Sequence, residues 1–127
     1  MSDDRIASHL DAIYEAALKA PRMVAGLSKA QFLSDEKSQM ASVMTLIIVG
    51  EAAARIMQRS PEYIAAHPEV PWEKIRALRN RGVHGYDSLD FEVIWDVLTE
   101  DLPVLLNQIA GLLDEFGGPL PPPHTGT

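Results

Sequence analysis

The spacing of apolar residues is the feature that most constrains the fold of this chain. In residues 3–20, 35–59 and 90–116 they recur every three or four positions, which is the period of an α-helix with one buried side. No segment shows the period of two that is typical of a half-buried β-strand. The chain has 127 residues, enough for one domain with its own core. The pattern therefore predicts an all-α protein, an antiparallel helical bundle.

Proline, glycine and capping residues set the expected helix boundaries. Ser34 is a candidate N-cap for the central helix, and Pro21 should end the first helix. Pro103 should interrupt the last helix, which residues 117–118 (Gly-Gly) should stop. We predict long helices over 3–20, 35–59, about 72–81 and about 90–116, with short helical segments at 22–34 and after Ser60.

The central helix is apolar on more than one side, so we expect several neighbours to bury it. Met40, Met44 and Met57 are expected to fill gaps in the core. Gly50 costs helix propensity, and close packing against another helix is the simplest explanation. Glu51 is interpreted as a buried hydrogen-bonding group, or alternatively as a partner for an arginine elsewhere in the chain.

Composition excludes several classes of protein. The net charge of −7 argues against a general electrostatic grip on nucleic acid, and the absence of cysteine excludes disulfides and thiolate metal sites. The histidines lack ligand spacing, so no metal is assigned. The N-terminus does not resemble a signal peptide, and the apolar run at 43–49 is too short to span a bilayer. We expect a cytoplasmic protein without a membrane span, with a domain over 1–117 and a Pro-rich, disordered tail over 118–127.

One short segment, residues 79–86, concentrates the groups that can do chemistry. It reads RNRGVHGY. Residues 72–86 hold four basic side chains and one acidic one, a local balance of +3, whereas no Lys or Arg follows residue 86. A small positive region in an acidic protein suits a defined anionic group better than a long polyanion.

The residue types in this segment match the needs of RNA cleavage. Arg79 presents a fork of donors that fits a phosphate, and His84 can take or give a proton near neutral pH. Five positions on a regular helix separate them by about 140°. They converge on one substrate only if the helix distorts near Gly82 or if a second protomer brings its own copy alongside. From spacing alone, a polar helix end is the more frequent explanation.

The wider sequence resembles a known family. Residues 71–86 (PWEKIRALRNRGVHGY) contain, in order, Pro-Trp, Arg-Asn, a three-residue spacer and His-x-Tyr. This order resembles the HepT-like family of HEPN-domain proteins. Residues 48–53 (IVGEAA) resemble the family's Ile-Gly-Glu-Ala segment, and the similarity continues through 94–96 and 101–103.

The resemblance implies a HEPN-type antiparallel bundle of four to five helices that forms a homodimer. It also implies a metal-independent endoribonuclease toxin that needs no cofactor. Arg79 and His84 would be its catalytic pair, and Asn80, Arg76 and Arg81 would support them or bind the substrate. The implied substrate is an RNA such as tRNA or mRNA.

The resemblance further implies a partner, a MntA-type nucleotidyltransferase antitoxin in a type VII-like toxin–antitoxin system. That antitoxin would transfer AMP from ATP to Tyr86 and so fill the anion site. Two alternatives to the ribonuclease stay open. In the first, the chain is a non-catalytic partner that presents Tyr86 or a nucleotide to the nucleotidyltransferase. In the second, it is a structural bundle without a site.

Overall fold

The fold is a bundle of α-helices, as the apolar spacing predicts. The computed structural model describes the backbone of residues 3–84 and 89–118 and the side chains of residues 5–80 and 89–118. No β-strand occurs within those ranges. The helices are α1 (Asp3–Lys19), α2 (Lys29–Phe32), α3 (Glu36–Arg59), α4 (Pro61–Ala66), α5 (Trp72–His84), α6 (Phe91–Asp96) and α7 (Leu102–Asp114).

The connection between α1 and α3 follows the proline and capping signals with one correction. A 3-10 turn, Ala20–Met23, replaces the α-helix where Pro21 removes a backbone donor. The Ser28 side chain and Gln31 form a capping box at the start of α2. The prediction that Ser34 caps α3 is wrong. Its hydroxyl donates to the Gln31 carbonyl at 3.2 Å, and Asp35 holds the N-cap position of α3.

Helix α3 lies at the centre of the bundle and packs mainly against α1 and α5. Leu46, Val49 and Ile56 are buried on its inner side. The prediction that several neighbours bury α3 is confirmed, but the prediction that Met40 and Met44 fill the core is wrong. These two side chains are exposed by 56% and 58%, so one face of α3 is open.

Helix α3 as a whole has the length and hydropathy of a membrane-spanning helix, although its apolar run at 43–49 is too short to span a bilayer. Its 24 residues have a mean hydropathy of 1.6 in the most apolar window, and half of that window is buried inside the protein. The central helix of a helical bundle has the same character, because it packs on more than one neighbour.

The interruption predicted at Pro103 is a π-helical turn. Residues Val97–Asp101 form that turn between α6 and α7, and the Leu102 amide donates to the Val97 carbonyl. Pro103 follows in the first turn of α7. A proline cannot donate to the preceding turn and its ring crowds that turn, so the wider π turn accommodates it. The chain therefore stays helical without a break from Phe91 to Asp114, past Pro103.

The Gly-Gly stop after α7 is confirmed. Gly117 and Gly118 have φ values of 96° and 93°, which glycine adopts without a Cβ penalty. The Gly118 amide donates to the Leu113 carbonyl at 2.8 Å and satisfies the open end of the helix. The rest of the predicted tail, residues 119–127, lies outside the described residues.

Candidate functional site

Helix α5 carries the basic segment, and its start is fixed by Trp72. The indole is only 4% exposed, and its Nε1 donates to the His67 carbonyl at 2.9 Å. Ile75, one turn later, is also buried. These contacts hold one side of α5 against the core.

Gly50 lets α5 approach α3 closely. A Cβ at this position would clash with the Cβ of Arg79, and it would lie 2.9 Å from the Ile75 carbonyl oxygen and 3.0 Å from the Arg79 amide nitrogen. Two of these three neighbours are backbone atoms, which cannot rotate away. The predicted close packing at Gly50 is therefore confirmed, and the residue it touches is the arginine expected to bind phosphate.

The Arg79 side chain is held by acceptors on both sides. Its Nε and Nη2 donate to Asn80 Oδ1 at 3.0 and 2.7 Å, and its Nη1 donates to Glu51 Oε1 at 3.0 Å. A guanidinium has five N–H donors, and these contacts use three of them. The Arg79 side chain is 29% exposed, so the fork is fixed in place and still reachable from solvent. Asn80, which the resemblance names as a supporting residue, is thus in direct contact with Arg79.

Glu51 is not the buried group that we expected, because its side chain is 43% exposed. The alternative interpretation holds: Glu51 is the partner of an arginine in the basic segment. Its Oε2 also lies 4.0 Å from Nε of Arg55, one turn further along α3. A half-exposed pair of this kind contributes about 1 kcal/mol or less to stability, so its main effect here is to orient Arg79.

Arg76 lies one turn before Arg79 and pairs with Glu73, with 2.5 Å between Nη2 and Oε2. Both arginines line one groove between α3, α4 and α5, with a volume of about 490 Å³. Its other lining residues are Ala54, Met57, Gln58, Pro61, Ile64 and Glu73. The local balance of +3, which already includes Glu73, is therefore partly cancelled in space by Glu51 from another helix.

The predicted end of α5 near Gly82 is wrong, because the helix continues as a regular α-helix to His84. On such a helix the positions of Arg79 and His84 are about 140° apart around the axis. Of the two ways in which they can meet, a distortion at Gly82 is not observed. The side chains of Arg81 and His84, and all of Tyr86, lie outside the described residues.

The open face of α3 is apolar in the N-terminal half of the helix and polar in its C-terminal half. Met40, Met44 and Ile48 are spaced by four residues and are exposed by 56%, 58% and 44%. Residues four apart lie on one side of a helix, and Glu51 continues the same side. The pair of Glu51 and Arg79 therefore sits where the exposed apolar stripe ends, a neighbourhood that the sequence pattern did not reveal.

A second polar cluster lies at the C-terminal end of α4. His67 Nδ1 is 3.3 Å from Glu69 Oε1, and its Nε2 is 3.9 Å from Glu115 Oε2. The Tyr63 ring packs on His67, and its buried hydroxyl has no hydrogen-bond partner in the part of the chain that the structure describes. Burial, followed by the charges of Glu115 and Glu69, raises the pKa of Tyr63 to about 12. In the described ranges, no group of three His, Asp or Glu side chains is placed to hold a metal ion.

Comparison with known proteins links the chain to one family. The family model described as ribonuclease HepT-like matches residues 9–112. A Methanocaldococcus jannaschii protein named a "putative RNase" is 30% identical over 69% of this chain and 70% of its own length. A "probable ribonuclease HepT" from Thermococcus cleftensis is 36% identical over 58% of this chain and 64% of its own length.

A further relative, named a "putative RNase" from Caldanaerobacter subterraneus subsp. tengcongensis, is 29% identical over 72% of this chain and 80% of its own length. The chain thus spans between about two thirds and four fifths of the length of these relatives. No solved structure matches the chain.

Proposed function

Because this chain belongs to the HepT-like ribonuclease family, we propose that it is a metal-independent endoribonuclease in which Arg79 binds the scissile phosphate and His84 transfers protons. The observation that carries the proposal is the guanidinium of Arg79, which Gly50, Glu51 and Asn80 hold on the helix that also bears His84. A donor fork fixed before the substrate arrives stabilises charge on phosphorus without reorganisation.

The chemistry needs no group beyond these side chains and the RNA. A base removes the proton of the ribose 2′-hydroxyl, whose oxygen attacks the neighbouring phosphorus. The bond from phosphorus to the 5′-oxygen breaks, and an acid protonates that oxygen. The products are a 2′,3′-cyclic phosphate and a 5′-hydroxyl end. The Arg79 fork stabilises the charge on the phosphate oxygens, and a histidine is the natural proton carrier at neutral pH.

We further propose that two protomers complete the site. Because α5 stays helical through His84, the positions of Arg79 and His84 in one chain lie about 140° apart around the helix axis, whereas a second copy brings another histidine alongside. The stripe of Met40, Met44 and Ile48 supplies an exposed apolar surface for a two-fold contact between copies. It ends at Glu51, so the contact brings the two Arg79 side chains near the interface.

The central test is cleavage of RNA by the purified chain. We expect wild type to cut RNA without added metal, and His84→Ala and Arg79→Ala to lose at least a hundredfold in kcat/KM at unchanged thermal stability. Mass spectrometry of the products should find cyclic phosphate ends. Equal cleavage by His84→Ala and wild type would exclude the proposed proton transfer.

The dimer is tested by placing a charge in the apolar stripe. Met44→Glu buries an unpaired carboxylate in the proposed interface, so it should yield a monomer in sedimentation and lose cleavage activity. Glu36→Gln, at the start of the same helix, is the control and should remain dimeric. A Met44→Glu protein that is monomeric and fully active would show that one chain suffices.

We also propose that the chain is the toxin of a type VII-like toxin–antitoxin pair and that a MntA-type nucleotidyltransferase adds AMP to Tyr86. The support is the family membership and the place of Tyr86 in the sequence, two residues after His84. Co-expression with the neighbouring nucleotidyltransferase should relieve growth inhibition and add one or more AMP units to the intact mass. Tyr86→Phe should abolish the adduct while keeping the nuclease activity.

One observation favours the second candidate, a non-catalytic partner that presents Tyr86 or a nucleotide to the nucleotidyltransferase. The Glu51 carboxylate already neutralises Arg79, and the chain as a whole carries −7 charges. An AMP adduct on a protein that cuts no RNA in its unmodified form would establish this role instead.

A further inference from the structure

Beyond Glu51, the open face of α3 carries basic side chains, and the neighbouring helix α1 carries further ones. Arg55 and Arg59 follow Glu51 at intervals of four residues and are exposed. On α1, Arg5 and His9 are also four residues apart, with Arg5 exposed and His9 partly buried. Helices α1 and α3 pack along much of their length. We call Arg5, His9, Arg55 and Arg59 the basic track.

Ala12 and Ala16 on α1 line one groove with Met44 and Ile48 on α3. Arg5 and His9 continue the same side of α1 at intervals of three or four residues, and Arg55 and Arg59 continue the same side of α3. The basic track therefore extends this shared α1–α3 surface, and the pKa of His9, which burial and then the charges of Arg55, Arg59 and Arg5 lower, agrees with that placement. In a chain with a net charge of −7, such a concentration of positive charge is unusual.

Glu51 connects the basic track to Arg79, the proposed phosphate-binding residue. Glu51 contacts Arg79 at 3.0 Å through Oε1 and lies 4.0 Å from Arg55 through Oε2. From Glu51 to Arg59 the helix rises about 12 Å, at 1.5 Å per residue. A stacked nucleic-acid strand rises by about 3.4 Å per nucleotide, so that length matches roughly three to four nucleotides.

We propose that the basic track binds the phosphates of single-stranded RNA on one side of the cleavage point, while Arg79 holds the scissile phosphate. This inference rests on the proposed nuclease function and adds the path of the substrate. Arg55 and Arg59, about 6 Å apart along α3, bind phosphates about two nucleotides apart, and Arg5 and His9 extend the contact onto α1. The bound phosphates offset the three arginines and favour protonation of His9.

The path explains how an acidic protein can bind RNA. The basic track concentrates positive charge on one surface of α1 and α3, so the strand is drawn to that surface and away from the acidic parts of the protein. Because contacts to phosphate carry no sequence information, the track provides affinity and direction, and base selection is left to the groove beside Arg76.

The test measures RNA binding separately from cleavage. The probe is a short fluorescein-labelled single-stranded RNA with 2′-O-methyl riboses, which cannot be cut because the nucleophile is blocked. The variant is Arg55→Gln/Arg59→Gln, and the matched control is Lys29→Gln/Lys37→Gln, which removes the same charge from exposed positions elsewhere. Arg59→Gln alone keeps the contact of Arg55 with Glu51. Thermal melting checks that every variant is folded.

We expect the arginine double variant to bind the probe about tenfold more weakly at low salt, and Arg59→Gln to show part of that loss. The slope of log K against log salt should become shallower by about 1.4, since each lost phosphate contact on a single strand accounts for about 0.7. The lysine control should match wild type. With cleavable RNA the arginine variant should show a higher KM and an unchanged kcat.

A second readout follows His9 by NMR. Its pKa should rise when the probe binds to wild type. Equal binding and equal salt slopes for wild type and the arginine double variant would overturn the proposed path and leave an acidic protein surface as the candidate partner for the patch. A wild type that binds the probe through the track but cuts no RNA would refute the nuclease and leave the track standing.

Discussion

Replacing Gly50 by alanine tests whether the close contact of α3 and α5 sets the position of Arg79. The new Cβ would clash with the Arg79 Cβ and lie only 2.9 Å from the Ile75 carbonyl oxygen, where ordinary contact needs at least 3.4 Å. The helices must therefore separate by about half an ångström or more. Overpacking of this kind lowers the free energy of unfolding by about 1–3 kcal/mol, whereas the better helix propensity of alanine raises it by about 1 kcal/mol.

We expect the Gly50→Ala protein to lose up to about 2 kcal/mol of unfolding free energy. For a chain of this size, that corresponds to a fall of up to roughly 10 °C in Tm, measurable by calorimetry. The displacement also moves the Arg79 backbone away from Glu51. A shift of up to about 1 Å in a positioned group costs as much as a hundredfold in rate, so kcat/KM for RNA should drop tenfold to a hundredfold.

Gly111 provides the matched control, because a Cβ added there meets no atom within 4 Å and the residue lies inside α7. Gly111→Ala should therefore stabilise the protein by up to about 1 kcal/mol and leave cleavage unchanged. If Gly50→Ala were as stable and as active as Gly111→Ala, the packing argument for Arg79 would be refuted.

Two further predictions concern pH. The folded protein raises the pKa of Tyr63 from 10.0 to about 12, so the unfolded chain ionises first and stability should fall between pH 10 and 12. Tyr63→Phe should lack this loss in denaturant titrations across that range, and an identical alkaline profile in the two proteins would contradict it. Burial and three arginines lower the pKa of His9 below 6.5, so the unfolded chain takes up the proton first and stability should fall on acidification below that pH. His9→Gln should show a shallower acid slope than wild type, and equal slopes would count against the shift.

Much of the helical architecture was predictable because its signals are local. The 3.6-residue period indicated the helices, and Pro21, Pro103 and the Gly-Gly pair marked their interruptions close to where they occur. The end of α5 was placed too early, since Gly82 carries only a propensity cost and the helix continues past it to His84.

The neighbourhood of the candidate site was less predictable, because it depends on residues far apart in the chain. Glu51 and Arg79 are separated by 28 positions, and the sequence offered the pair only as an alternative to a buried acid. Met40 and Met44 have the same apolar character as the buried Leu46, so composition alone could not tell the open face of α3 from its inner face.

The sequence by itself determined that the chain forms helices, which segments they occupy and which residues can act on a phosphate, because periodicity, capping and side-chain chemistry are properties of short stretches. Only the tertiary structure decided that Gly50 touches Arg79, that Glu51 neutralises it, and that an apolar stripe and the basic track meet beside it. Those relations depend on the rotation of each helix about its own axis and on the distance between packed helices. Both are set by how all the side chains of the core fit together.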